Sequence, residues 1–276
     1  MSRLHGSIRL HGGGIIREMR DPKDERKIGL ARALSKLGYC SRSQAAELIR
    51  AGRVQLNGAP RRDPETPVRL HSDRILVDNR AVLAAQKIYL LLNKPRGVVT
   101  TASDEKGRDT VYSCLHEFGP WVGPVGRLDK ASEGLLLLTN DSEWAARLSN
   151  PATHLDKTYH VQVGTLADKN LATALVKGVR VDQGEMLRAK RAHVLRTGER
   201  NAWLEIVLDE GKNRQIRRML EALGIEVLRL VRVAVGPLQL GQLAKGEFRA
   251  LSAEEKRALD HAATVSGSER ASREGR

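Results

Sequence analysis

Apolar residues change their period along the chain, and each change predicts an element. Leu30, Leu34 and Leu37 recur at helical spacing, and Gly38 follows as a stop. Ser41 with Gln44 forms a capping box ahead of a second stripe, Ala45, Leu48 and Ile49, which Gly52 ends. Val54 and Leu56 then alternate as a strand, and Asn57-Gly58 is a hairpin turn. After a linker over 78–87, Ile88 to Leu92 reads as an apolar strand, and residues 93–97 turn sharply. Thr100 to Val111 is a polar loop. Tyr159, Val161 and Val163 alternate on one face of a strand over 157–163. Further strands are predicted over 202–208 and 227–235, around a helix that buries Ile216, Met219, Leu220 and Leu223. Ser252 with Glu255 caps a final helix.

The stretch from Val125 to Asp141 stands apart. Gly126 allows a tight turn, and Gly134 opens a run of four leucines short enough for a strand buried on both faces. Asn140 with Glu143 reads as a capping box for a helix whose stripe is Trp144, Ala145 and Leu148. A lone carboxylate, Asp129, therefore sits on a glycine-flanked loop leading into a core strand. A carboxylate there is paired or functional, because an unpaired buried charge is too costly. For an arbitrary aspartate the structural ion pair is the better reading.

Composition narrows the partners. The chain has 276 residues, a net charge of +14 and 41% hydrophobic residues, so a packed core coexists with a polyanion-seeking surface. Between Arg26 and Arg62 nine basic residues face one acid, Glu47, a surplus that suits RNA phosphates. No long apolar run or signal-like start points to a membrane. Two distant cysteines, Cys40 and Cys114, fit a cytoplasmic protein without a zinc site or disulfide framework. The eight histidines show no ligand spacing. Aromatics, at 3%, are too scarce for a platform like that of an RRM. Residues 1–27 read as a flexible basic tail and 262–276 as a disordered one. Gly12-Gly13-Gly14 lacks the GKS or GKT that a phosphate loop needs.

Two segments carry a resemblance. Leu37 to Val54 resembles the S4 RNA-binding domain, placed at 28–80. Gly126-Arg127-Leu128-Asp129 followed by Ser132-Glu133-Gly134 and the leucine run resembles the catalytic motif of RNA pseudouridine synthases. It has the form typical of the RsuA/RluB-like branch that modifies ribosomal RNA. Lys94-Pro95-Arg96-Gly97, Lys157-Thr158-Tyr159 and Gln215-Ile216-Arg217 match further motifs of that family, so the catalytic domain is expected over 87–255.

The resemblance implies an α+β architecture: the small S4 domain, then a catalytic domain with a mixed, largely antiparallel sheet flanked by helices and loops. It implies isomerisation of uridine to pseudouridine in ribosomal RNA, without cofactor or metal, by a cytoplasmic monomer. The segments 228–232 and 236–238 lean toward large-subunit RNA. A small-subunit or transfer-RNA enzyme, or a non-catalytic assembly factor that binds ribosomal RNA, are the alternatives. Asp129 is the implied catalytic carboxylate. Arg127 would hold the base out of its stack, Tyr159 would pack against it, and Arg217 would pair with Asp129. On the helical wheel Arg217 flanks the apolar stripe, from where a guanidinium can reach a buried carboxylate. The expected RNA contacts are Arg32, Lys36, Arg42, Arg50 and Arg53 in the first domain and Lys94, Lys212, Arg214 and Arg218 in the second.

Overall fold

The computed structural model describes residues 26–101, 107–115 and 118–274. The basic tail expected over 1–27 lies, but for its last two residues, outside the described residues.

The N-terminal unit starts with strand β1 (Ile28–Gly29) and helices α1 (Leu30–Lys36) and α2 (Arg42–Arg50). The predicted capping box is present. Ser41 Oγ accepts from the Gln44 N–H at 3.1 Å, and Gln44 Oε1 accepts from the Ser41 N–H at 3.0 Å. Five short strands follow: β2 (Val54–Leu56), β3 (Ala59–Arg61), β4 (Pro67–Val68), β5 (Ile75–Val77) and β6 (Arg80–Ala81). Asn57 and Gly58 both take positive φ, 53° and 83°, as a two-residue hairpin turn requires. Leu30, Leu34, Ile49, Val54 and Val77 close the core of this unit. Its sheet runs β3-β2-β5-β6, so the hairpin to β6 takes up the start of the segment read as a linker.

The second unit contains β7 (Tyr89–Lys94), β8 (Gly123–Val125), β9 (Glu133–Thr139), α3 (Ser142–Ser149), β10 (Lys157–Val163) and α4 (Lys169–Lys177). It continues with β11 (Val179–Arg180), β12 (Met186–Leu187), β13 (Arg191–Thr197), β14 (Ala202–Leu208), α5 (Gln215–Ala222), β15 (Val227–Val235), β16 (Leu238–Gln239), β17 (Phe248–Ala250) and α6 (Ala253–Glu274). One sheet runs β13-β14-β10-β15-β9-β7-β17, with β16 beside β15 and β8 beside β9. Only the β9–β15 pairing is parallel, so the sheet is mixed and largely antiparallel, as expected. Among the described residues no helix is long and apolar enough to cross a membrane.

The leucine run sits at the centre. Every residue of β9 is buried. Leu135 and Leu137 pack toward Trp144, Leu148 and Leu259, while Leu136 and Leu138 pack toward Leu90, Leu92 and Val122. Such two-sided burial needs an uninterrupted apolar run. Gly134 has φ 102° and pairs with Arg232, whose backbone a Cβ would strike.

Three expectations about helices change, the first being that Leu223, at the C-terminal cap of α5, is 38% exposed and not buried with Ile216, Met219 and Leu220. The cap of α3 is Asp141, whose Oδ1 accepts from the Glu143 and Trp144 N–H groups at 3.2 and 3.1 Å. Asn140 instead clamps the inter-domain segment. It accepts from the Ile88 N–H at 2.9 Å and donates to Gln86 O at 2.8 Å. Helix α6 starts at the predicted Ser252–Glu255 cap but runs to Glu274, so helix occupies most of the region read as a disordered tail.

The two units touch. Lys36 Nζ lies 2.6 Å from Glu143 Oε1, and the Ala85 N–H donates to Leu37 O at 2.8 Å. Lys36 is thereby engaged by Glu143 of the second unit.

Candidate active site

A cleft of about 620 Å³ opens where the β8–β9 loop, the start of β10 and the start of α5 converge. Asp129, Arg127, Tyr159, Lys157, Arg214 and Arg217 all line it. Residues far apart in the sequence thus meet in one place.

The loop that carries Asp129 is held through its backbone. The Ser132 N–H donates to Asp129 O at 2.9 Å. Lys94 Nζ donates to Asp129 O at 3.2 Å, Ser132 O at 2.8 Å and Pro95 O at 3.1 Å. Thr100 Oγ1 donates to Leu128 O at 2.7 Å, which fixes the polar loop beside the site. Arg217 Nη2 donates to Ala131 O at 3.0 Å and Nη1 to Val227 O at 3.4 Å. Side chains thus hold the carbonyls of Leu128, Asp129, Ala131 and Ser132, and the Asp129 carboxylate is left to face the cleft.

Lys94 is corrected by this geometry. It is 0% exposed and lies beneath the loop, so it cannot touch RNA. Burial pulls its ammonium down to about 8, against the smaller upward pull of Cys114, Asp129 and Glu133. The residue holds the loop and does not bind the substrate backbone.

The Asp129 partner is corrected as well. Arg214 Nη1 lies 3.9 Å from Asp129 Oδ2, whereas Arg217 reaches the loop backbone. Arg217 remains close enough to feel both neighbours. Burial, then the Arg214 charge, lowers its guanidinium, and Asp129 partly offsets this. Helix geometry places Arg217 correctly on the flank of α5. The expectation of a buried carboxylate is what fails, because the Asp129 side chain is 33% exposed. Arg214 caps α5 with φ 48°, a left-handed conformation that costs an arginine about 1 kcal/mol or more. That strain turns its side chain into the cleft mouth, and no pattern of residue types announces it.

Tyr159 is half-buried, on the same face of β10 as Val161 and Val163, and meets both core layers. Arg127 is exposed at the rim. Two further cleft residues are absent from the expected site, although Lys157 opens the Lys157-Thr158-Tyr159 motif. Lys157 lines the wall, its ammonium lowered by burial and by Arg232 against Asp209 and Asp156. Arg232, 7% exposed, donates from Nε to Leu135 O at 2.7 Å. Alternation in β15 puts Arg232 on the same face as the buried Leu230 and Ala234, whereas its charge reads as exposed.

The other expected RNA contacts divide by their partners. Arg32, Arg42 and Arg50 are exposed on the helices of the N-terminal unit. Arg53 makes a two-point pair with Asp78 at 2.9 and 2.5 Å. Arg218 pairs with Glu185 at 2.7 Å, and Lys212 lies 3.2 Å from Glu185 and 3.6 Å from Glu210.

Comparison with known proteins agrees with this arrangement. The family profile described as RNA pseudouridylate synthase matches residues 88–222, and the S4 domain profile matches 28–82. The chain is 37% identical to ribosomal large subunit pseudouridine synthase B of Bacillus subtilis (strain 168), over 83% of this chain and 94% of that protein. It is 35% identical to an uncharacterised RNA pseudouridine synthase of Aquifex aeolicus (strain VF5), over 82% and 91%. A crystal structure of a pseudouridylate synthase superposes with a TM-score of 0.58 at 29% identity, covering 84% of this chain and 99% of that one.

Proposed function

The chain belongs to the RNA pseudouridylate synthase family, and from that premise we propose that it converts a uridine of large-subunit ribosomal RNA to pseudouridine, with Asp129 as the reacting carboxylate. The observation that carries the assignment is Asp129 itself: an aspartate with its loop pinned through the backbone and its carboxylate facing an open cleft.

The reaction breaks the C1′–N1 glycosidic bond, turns the detached uracil and rejoins it to C1′ through C5, with the C5 proton leaving at the end. An ionised carboxylate can begin this by attacking C1′ or by taking the proton from C2′. Both routes need the carboxylate charged and aimed. Arg214 and Arg217 supply positive potential on its cleft side, and guanidinium groups keep their charge at any physiological pH.

The target base has to leave its stack to reach a carboxylate inside a cleft, which costs a few kcal/mol. Arg127 at the rim is suited to hold the base out. Tyr159, with its ring against the core and its edge in the cleft, is suited to pack against the detached uracil and limit its rotation. Neither step calls for a redox group, since the reaction is an isomerisation. The exposed arginines of the S4 domain, Arg32, Arg42 and Arg50, would bind phosphates away from the site and hold the substrate in register.

The test is to map pseudouridine in ribosomal RNA from cells with and without the gene, and to repeat it with the gene carrying Asp129→Asn. One large-subunit position should lose its modification in both mutants. An unchanged map would reject the assignment.

A further inference from the structure

The cleft occupies one face of the sheet. On the opposite face of β10, β14, β13 and β15 a second groove runs, formed by two adjoining hollows of about 660 and 380 Å³ that share His160 and Val233. The strand registers set out its floor in rows. Arg196 pairs with Trp203, Trp203 with Gln162, and Gln162 with Arg229. In the next row His193 pairs with Glu205, and Glu205 with His160.

Two features give this floor its chemistry. Two guanidinium groups gather at the Trp203 ring, Arg196 Cζ at 5.3 Å and Arg229 Cζ at 5.8 Å from its centroid. An indole and guanidinium groups gathered at one surface offer flat faces on which nucleobases stack. Leu195, 41% exposed, extends the apolar patch, although burial of such a side chain is the usual preference.

The second feature is charge. Asp156 is shared by Lys190 at 2.7 Å and Arg191 at 3.9 Å. Glu133 is shared by Arg229 at 2.5 Å and Lys245 at 2.8 Å. Among the residues that line the two hollows, the cations Lys190, Arg191, Arg196 and Arg229 stand against the carboxylates Asp156 and Glu205. Each of these acids that meets a lysine or arginine meets two, so the surface keeps a positive excess. A cationic, partly apolar floor with a stacking centre matches single-stranded RNA better than a neutral protein surface.

The groove also begins beside the cleft. Asp156 lies at one end of it, and the next residue, Lys157, lines the cleft. Asp156 precedes β10, so a strand would pass from the cleft to the groove around the N-terminal end of β10, where adjacent residues face opposite sides of the sheet.

We propose that this groove is a second RNA-binding site, which takes a single-stranded segment of the substrate with bases stacked on Trp203 and the guanidinium groups beside it and phosphates beside Lys190 and Arg191. It rests on RNA being the substrate. It extends the footprint from one face of the sheet to both, so the enzyme would select RNA in which the target uridine is flanked by an unpaired strand.

The test uses the full chain and a fluorescently labelled oligoadenylate, which offers strong stacking and no uridine for Asp129 to act on. Trp203→Ala should bind it about tenfold more weakly, the loss of one base stack. Trp203→Phe should keep most of the affinity because an aromatic face remains. Arg196→Gln, which removes one of the stacking groups beside Trp203, should bind the oligoadenylate several-fold more weakly, and Arg191→Gln should lower the salt slope by about 0.7, one phosphate contact on a single strand. On a ribosomal RNA transcript both weakened variants should raise KM and leave kcat in place. Parent-like oligoadenylate binding by Trp203→Ala and Arg196→Gln would overturn the proposal. So would a parent dimer, seen by sedimentation, that Trp203→Ala turns into a monomer, since the face would then serve a second copy of the chain. If Trp203→Ala fails to fold, the exposed Arg196→Gln decides alone. A parent that binds oligoadenylate through this groove but makes no pseudouridine would reject the proposed reaction and leave the site standing.

Discussion

Arg214 faces the Asp129 carboxylate at 3.9 Å, while Arg217, in the first turn of the helix that Arg214 caps, holds the backbone of the same loop at Ala131. The two arginines therefore divide one task. One sets the potential at the carboxylate, and the other fixes where the carboxylate is.

This division predicts different phenotypes. Arg217→Ala leaves Ala131 O and Val227 O without their guanidinium donor and should cost about 1.5–3 kcal/mol of stability. Arg214→Ala removes a half-exposed pair worth at most about 1 kcal/mol, and it can relieve the left-handed strain only by changing the cap. Turnover should fall steeply in both. A double-mutant cycle on stability should give weak coupling between Asp129 and Arg214 and none larger for Asp129 and Arg217. Strong Asp129–Arg217 coupling would restore the direct pair that the family resemblance implied.

Asp129→Asn is expected to abolish pseudouridine formation while RNA binding stays close to native, because affinity resides mainly in phosphate contacts elsewhere. Its fold should persist, since the loop is anchored through carbonyl groups and not through this side chain. Filter binding beside a tritium-release assay separates the two effects. Residual turnover in the purified variant would move the chemistry to another group.

Tyr159→Phe keeps the ring that packs on both core layers and removes only the hydroxyl. It should melt within a few degrees of the parent but turn over far more slowly in a single-turnover experiment. A near-native rate would make the tyrosine a packing residue alone.

How far these relations are legible in the sequence depends on what each one rests upon. The leucine strand and the Ser41–Gln44 cap follow from local pattern, and the structure reproduces both. The Asn140–Glu143 cap fails because two adjacent residues, Asn140 and Asp141, can both cap, and only the bonds to Ile88 and Gln86 decide between them. Lys94 misleads because a lysine before a proline turn reads as exposed, and two of its three carbonyl partners, Asp129 O and Ser132 O, come from a segment brought to it only in three dimensions. The Arg214 pairing depends on one backbone dihedral, which residue spacing does not encode.

For the S4 domain the structure refines which charges to test. Arg32, Arg42 and Arg50 are exposed, whereas Arg53 is engaged by Asp78. Neutralising the first three should reduce the salt slope of RNA binding by roughly 0.7–0.9 for each phosphate that is no longer neutralised. Arg53→Gln should change it less. A titration series in potassium chloride with the folded triple variant checks this, and an unaltered slope would place the phosphate contacts on another surface.

Lys94 gives the pH prediction. Its folded value lies near 8, against an ordinary 10.5 in the unfolded chain. Between those values the unfolded chain binds the proton and the folded one does not, so this residue makes stability rise with pH across that window. Below pH 8 both states are protonated and its contribution to the slope vanishes. Lys94→Met removes the titration, so the native-minus-variant difference in unfolding free energy should climb from pH 8 toward pH 10.5 and stay level below. Denaturant unfolding at a series of pH values measures it, and taking the difference cancels other groups, including Lys157, whose ammonium is lowered in the same direction. The same variant should lose turnover, since Asp129 O and Ser132 O lose their shared donor and the loop can shift. Its RNA affinity should remain native, because the side chain never reaches the surface. A variant that bound RNA weakly yet kept its turnover would return Lys94 to the substrate backbone, where its place in the sequence first put it.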